Sequence, residues 1–102
     1  MSHPWQIDCI AVIRKHPNVY ADVSALFYRP WSYYNTFRLA TEWSVLHKLL
    51  LGSDYPVATP QETIDALHRV NDIPNKSGLP SIPEAEVLAI VERDILSLLG
   101  LA

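Results

Sequence analysis

Three leucines run into a glycine, an aspartate and a proline at Leu49-Leu50-Leu51-Gly52-Ser53-Asp54-Tyr55-Pro56, and no other stretch limits the fold so tightly. A short run without polar members reads as a strand covered on both faces, as in parallel sheets. Gly52 admits close packing, and Pro56 lacks the N–H that a ladder needs, so the strand is expected to end near Asp54. Leu50, Gly52 and Asp54 would then share one strand face. That puts a carboxylate at the C-terminal tip of a buried strand, where α/β enzymes hold catalytic groups. The plainer alternative is an aspartate that closes a turn through its side chain.

The flanking segments alternate in type. Trp5–Arg14 carries Ile7, Ile10, Ala11 and Ile13 at helical spacing, and Pro17 ends that helix. Val19–Ser24 alternates, with Val19, Ala21 and Val23 on one side and Tyr20, Asp22 and Ser24 on the other, which marks a strand. Helical spacing returns from Trp31 to Ser44, and Lys48–Asp54 is the second strand. Thr59-Pro60-Gln61-Glu62 predicts a helix start with a capping box, and Ile64, Leu67 and Val70 give that helix its inner face. Asn71–Pro80 is expected to be loop. Ser81-Ile82-Pro83-Glu84 predicts a second capping box, opening a last helix with a stripe from Val87 to Leu99 that Gly100 stops. This order implies crossovers and a parallel sheet, yet two strands are too few for an independent one. The chain reads as one unit, residues 1–102, and as the tail of something larger.

Composition narrows the partners. Apolar residues make up 49% of the chain, enough to intend a core, and the net charge is −3. Eight basic residues are scattered from Arg14 to Arg93, which leaves no footprint for nucleic acid or an anionic membrane surface. Cys9 is the lone cysteine, as suits a reducing compartment. The opening Met1-Ser2-His3-Pro4-Trp5 has neither the basic nor the apolar region of a signal peptide, and no run approaches the ~20 apolar residues of a membrane span. A soluble, cytoplasmic chain is expected.

Asn18-Val19-Tyr20-Ala21-Asp22-Val23-Ser24, followed by Lys48-Leu49-Leu50-Leu51-Gly52-Ser53-Asp54-Tyr55-Pro56, resembles the end of an amidohydrolase-related protein. The branch is the one containing 2-pyrone-4,6-dicarboxylate hydrolase-like and aminocarboxymuconate-semialdehyde decarboxylase-like enzymes. Glu92 to Leu101 is similar to the family's closing helix, with Asp94 where asparagine is commoner. The resemblance implies an α/β fold, the C-terminal fragment of a (β/α)8 TIM barrel with two parallel strands and about four helices. Val19–Ser24 would be its seventh strand and Leu49–Asp54 its eighth.

The resemblance also implies a divalent metal, zinc or manganese. Asp54 would be the eighth-strand ligand and would take the proton of an attacking water whose pKa such an ion lowers toward ~7. The family's strand-one H-x-H pair has no counterpart here, and His3 stands beyond the middle-strand ligand position. Tight metal binding by this chain alone is therefore not expected, nor is catalysis. The decarboxylase branch carries a histidine shortly after strand seven, where this chain reads Ala25-Leu26-Phe27-Tyr28. Hydrolysis of a small carboxylate-bearing or cyclic ester or amide is favoured over a decarboxylase fragment.

Two further residues are candidates for substrate contact. Ser24 stands at the tip of its strand, with Asp22 on the same face as a satisfied polar group. Arg29, amid the aromatics of Phe27 to Tyr34, could receive a carboxylate by a bidentate contact; an ordinary packed loop or oligomer contact is the alternative. Cys9 reads as a buried inert thiol, and His16, His47 and His68 lack ligand spacing. Glu84, Glu86, Glu92 and Asp94 read as the solvated face of the last helix. A different class of function remains open: a non-catalytic module that completes a barrel with a companion chain or a second copy of itself.

Overall fold

The structure is a computed structural model and describes residues 1–101. Helix α1 spans Gln6–Lys15, strand β1 Ala21–Asp22, helix α2 Pro30–Glu42 and strand β2 Leu49–Leu50. Helices α3 (Pro60–His68), α4 (Asp72–Ser77), α5 (Glu84–Glu92) and α6 (Ile95–Leu98) follow. A 3₁₀ turn at Leu46–Lys48 leads into β2. The two strands pair in parallel, Ala21 opposite Leu49 and Asp22 opposite Leu50. Parallel neighbours need a long crossover, and α2 supplies it.

Both strands are shorter than their patterns predict, with two paired residues each. The N–H of Val23 still donates to the Leu50 carbonyl at 3.0 Å, and the ladder stops there. Asp54 has φ +63°, a left-handed conformation that no strand residue adopts, so Leu50, Gly52 and Asp54 do not continue along one strand face. Val19 is exposed, whereas Val23 and Leu49 are fully buried. Ile10 and Ile13 of α1, Tyr34, Phe37 and Ala40 of α2, and Ile90 of α5 belong to the same core. α5 packs on the 3₁₀ turn, α3 and β2.

Two cations, buried Lys48 and partly buried Arg93, anchor the strands. Lys48, just before β2, donates from Nζ to the carbonyls of His16 and Pro17, each at 2.9 Å, and stands 4.4 Å from the Tyr20 ring centroid. Those carbonyls close the C-terminal end of α1, where a cation also meets the negative end of the helix dipole. Arg93 donates to the Leu49 carbonyl. Burial pulls the Arg93 guanidinium below its ordinary pKa, against a smaller opposing effect from Tyr20.

The α3 capping box forms as the sequence predicts. Glu62 N–H donates to Thr59 Oγ1 and Thr59 N–H to Glu62 Oε1, both at 3.1 Å. The inner face is Thr63, Ala66, Leu67 and Val70, with Ile64 only half-buried. The expected loop at Asn71–Pro80 contains α4 instead. Pro74 lies in its first turn, where a missing N–H costs nothing, and Gly78 at φ +73° closes it. The second capping box does not form. Pro83 is the N-cap residue of α5 and makes no side-chain cap. Tertiary bonds hold that segment instead: Asn71 Nδ2 donates to the Ile82 carbonyl at 2.9 Å and Ile82 N–H to Asn71 Oδ1 at 2.8 Å.

The last helix breaks at Arg93, whose backbone is extended (φ −64°, ψ 132°). Asp94 is therefore not on the face of that helix but caps α6, receiving Ser97 N–H at 3.2 Å and the Ser97 hydroxyl at 2.8 Å. Leu96, Leu98 and Leu99 are exposed rather than part of a continuous stripe. Among the described residues no helix is long and apolar enough to cross a membrane.

Asn71→Ala removes two buried bonds and strands both backbone groups of Ile82. The expected loss is about 2–4 kcal/mol of unfolding free energy, read from urea midpoints at unchanged slope.

Candidate functional site

Parallel pairing makes the chain leave β1 and β2 from the same edge, which brings Asp22, Ser24 and Gly52 together. A Cβ on Gly52 would collide with Ser24 Oγ and lie 3.6 Å from Asp22 Cβ and 3.7 Å from Asp22 Oδ1. With Ser24 where it stands, a side chain at position 52 would force the serine hydroxyl to move. Ser24 N–H donates to Asp22 Oδ1 at 3.0 Å. Partial burial raises the Asp22 pKa, but the hydroxyl and N–H of Ser24, together with the N-terminal charge, hold the carboxyl below its usual range. The sequence singled out Ser24 and treated Asp22 as structural; in the fold the two form one unit.

Asp54 lies beyond this unit and is exposed. Its carbonyl, rather than its side chain, closes a turn by accepting Val57 N–H at 2.9 Å. The Tyr28 hydroxyl donates to the Val57 carbonyl at 3.0 Å and so ties the loop after β1 to the loop after β2. Among the described residues no three His, Cys, Asp or Glu side chains gather where they could hold a metal ion. His3 is engaged elsewhere, its Nδ1 lying 2.6 Å from the Gln6 amide nitrogen. Metal sites of catalytic zinc use three protein ligands, and Asp54 offers one, so the residues present do not make a complete centre.

Arg29 caps the start of α2 with its backbone, its carbonyl accepting Tyr33 N–H at 2.8 Å, and its exposed guanidinium forms no ion pair among the described residues. The aromatics around it pair with one another, the Phe27 and Tyr28 ring centroids 4.5 Å apart and those of Trp31 and Tyr34 5.8 Å, with Tyr28 and Trp31 exposed. His16, His47 and His68 are exposed, at a helix end, before β2 and on α3. Cys9 is half-buried, more accessible than the sequence suggests.

Sequence reasoning missed Tyr33 and Arg69. They line a cleft of about 230 Å³ between the start of α2, with the loop before it, and helices α3 and α4. Tyr33 is only 6% exposed, and its hydroxyl has no hydrogen-bond partner among the described residues. Burial pushes its phenol well above the usual range, with the Arg69 charge pulling the other way. An orphaned buried hydroxyl costs about 1–3 kcal/mol. Nothing at helical spacing distinguishes such a tyrosine from its core neighbour Phe37, whose ring it meets edge-on at 5.0 Å.

Gly52→Ala is expected to cost about 1–3 kcal/mol, and adding Ser24→Ala, which removes the atom the new methyl meets, restores part of it; a double-mutant cycle of urea midpoints reads the coupling. The pH dependence follows from the lowered Asp22 pKa. Its stabilisation is complete above the unfolded carboxylate value and is lost as pH falls through the lower folded value. Asp22→Asn is therefore expected to flatten the decline in thermal midpoint as pH falls below about 4.

Comparison with known proteins finds that a family model described as amidohydrolase matches residues 1–93. Neither the curated proteins nor the solved structures give a match.

Proposed function

Because the chain belongs to the amidohydrolase family, we propose that it is the C-terminal part of a metal-dependent (β/α)8 hydrolase acting on small carboxylate-bearing or cyclic esters or amides. The observation that carries this reading is the parallel β1–β2 pair, with Asp22, Ser24 and Gly52 packed where the chain leaves it and Asp54 just beyond. Asp54 would serve as one carboxylate ligand of zinc or manganese and as a proton acceptor. Its exposure leaves it free to meet groups from other strands. The chain carries no H-x-H pair, so the remaining ligands must come from elsewhere, and no step through the ion is assigned to these residues.

Ser24 and Arg29 are proposed to face the substrate. Ser24 is held by Asp22, while the free Arg29 guanidinium suits a carboxylate. The absence of a histidine from Ala25 to Tyr28 supports hydrolysis over decarboxylation.

A second reading, a split-barrel subunit, is supported by the outer side of α1. Trp5, Val12 and Val19 are exposed and share one surface depression, with Trp5 64% exposed. Contiguous apolar surface of this kind is what a neighbouring element covers.

The test is reconstitution. The purified chain with zinc or manganese is expected to show no turnover of a p-nitrophenyl ester or an aryl lactone. Co-expression with a polypeptide carrying the first six strands of a family member is expected to yield metal-dependent turnover, which Asp54→Asn lowers by about 10²–10⁴-fold. Turnover by the isolated chain, or an indifferent Asp54→Asn, would sink the proposal.

A further inference from the structure

The Leu49 carbonyl lies on the edge of β2 turned away from β1, and the group bonded to it there is a cation, Arg93. We propose that Arg93 is an edge guard, independent of the reaction above: by holding that carbonyl it keeps a second copy of this chain from adding its own β2 alongside.

The direction of the backbone groups follows from the pairing. Val23 N–H donates to the Leu50 carbonyl at 3.0 Å, so that carbonyl faces β1. A trans peptide sets its C=O and N–H on opposite sides, and Leu51 N–H therefore faces away from β1. The Leu49 carbonyl, one residue before Leu50 in the ladder, faces the same way. Leu49 N–H is already bonded to the Leu46 carbonyl of the 3₁₀ turn. Leu51 N–H has no hydrogen-bond partner among the described residues. The outer edge thus offers an acceptor at Leu49 and an open donor at Leu51.

Such an edge is complementary to itself. A two-fold axis through Leu50 carries the Leu51 donor of one copy onto the Leu49 acceptor of the other, as in an isologous contact. Two β2 edges laid antiparallel would exchange two bonds, each Leu51 N–H donating to the Leu49 carbonyl across the axis. Leu49-Leu50-Leu51 carries no charged side chain of its own to oppose the approach. A second copy supplies the matching donor and acceptor at the matching spacing, and is therefore the partner this edge fits.

Arg93 stands in that path. It donates to the one acceptor the second copy needs. The last helix breaks at this residue, whose extended backbone separates α5 from α6. The guanidinium forms no ion pair among the described residues, where Arg38 pairs with Glu42, and partial burial works against its charge. Its bond to the strand edge is made at that cost. A charge placed on a strand edge is how natural sheets keep further strands from adding.

The experiment is sedimentation equilibrium of the full chain, with amide hydrogen exchange read at Leu51. In the wild-type chain Leu51 N–H is expected to exchange freely at every concentration. Arg93→Met keeps the stem and removes the donors; it is expected to raise the self-association constant at least about tenfold and to slow Leu51 exchange as concentration rises. Adding Leu51→Pro, which removes the outward N–H, is expected to return association to the wild-type level. Arg69→Met, which removes an exposed cation elsewhere in the fold, controls for net charge and is expected to associate no more than wild type. A folded Arg93→Met chain that associates no more than wild type overturns the proposal. So does association that leaves Leu51 exchange unchanged, survives Leu51→Pro or appears equally in Arg69→Met. Protection of Leu51 N–H in the wild-type chain overturns it as well, and that reading stands even where Arg93→Met does not fold.

Discussion

The parallel pairing of Ala21–Asp22 with Leu49–Leu50 is the contact on which the remaining structure depends. A two-residue ladder does not support itself. It persists because its neighbours are fixed from several directions. Leu49 and Val23 are fully buried under α1, α2 and α5, and burying a side chain of this size stabilises by about 1.5–3 kcal/mol. Lys48 ties the entrance of β2 to the end of α1, and Arg93 takes the Leu49 carbonyl. Lys48 would be costly to bury alone, and the carbonyls it bonds are what make its position tolerable.

The same pairing decides what the site can be. Because both strands point the same way, the residues after them emerge together, and Gly52 can rest against Ser24 and Asp22. Asp54 follows after a change of backbone direction, so it is presented on an exposed turn rather than on the strand face. The ligand role proposed for Asp54 rests on that exposure, which leaves the carboxylate accessible. The chain offers a strand-end unit and a free carboxylate, and by itself no ligand set.

Much of the fold was legible residue by residue. The α1 helix, the α2 helix and the capping box at Thr59 were readable because each rests on residues within a turn or two of one another. The strand positions were readable too, but not their lengths, since a ladder extends only as far as a partner does. Pro74 was misread as a breaker because proline breaks helices in their interior and is tolerated in the first turn, and sequence spacing alone does not say which applies. Ser81 looked like a cap, but Asn71 and Arg38 hold the backbone at Ile82 and Ser81 in a different geometry. In the candidate site, Ser24 and Asp54 were visible as residue types at strand ends. Tyr33 and Arg69 were not, because nothing local marks a hydroxyl as unpartnered.

By itself the sequence determined the α/β order, the helix starts and stops that need only nearby atoms, and a family signature around Asp54. Tertiary structure alone decided where the ladder ends, that Asp22 and Ser24 act as one unit under Gly52, that the last helix breaks at Arg93, and that Tyr33 and Arg69 share a cleft. The division has a physical cause. Capping and periodicity are set by atoms a few residues apart, whereas Asn71 with Ile82 and Arg93 with Leu49 join positions 11 and 44 residues apart, which meet only after the chain has folded.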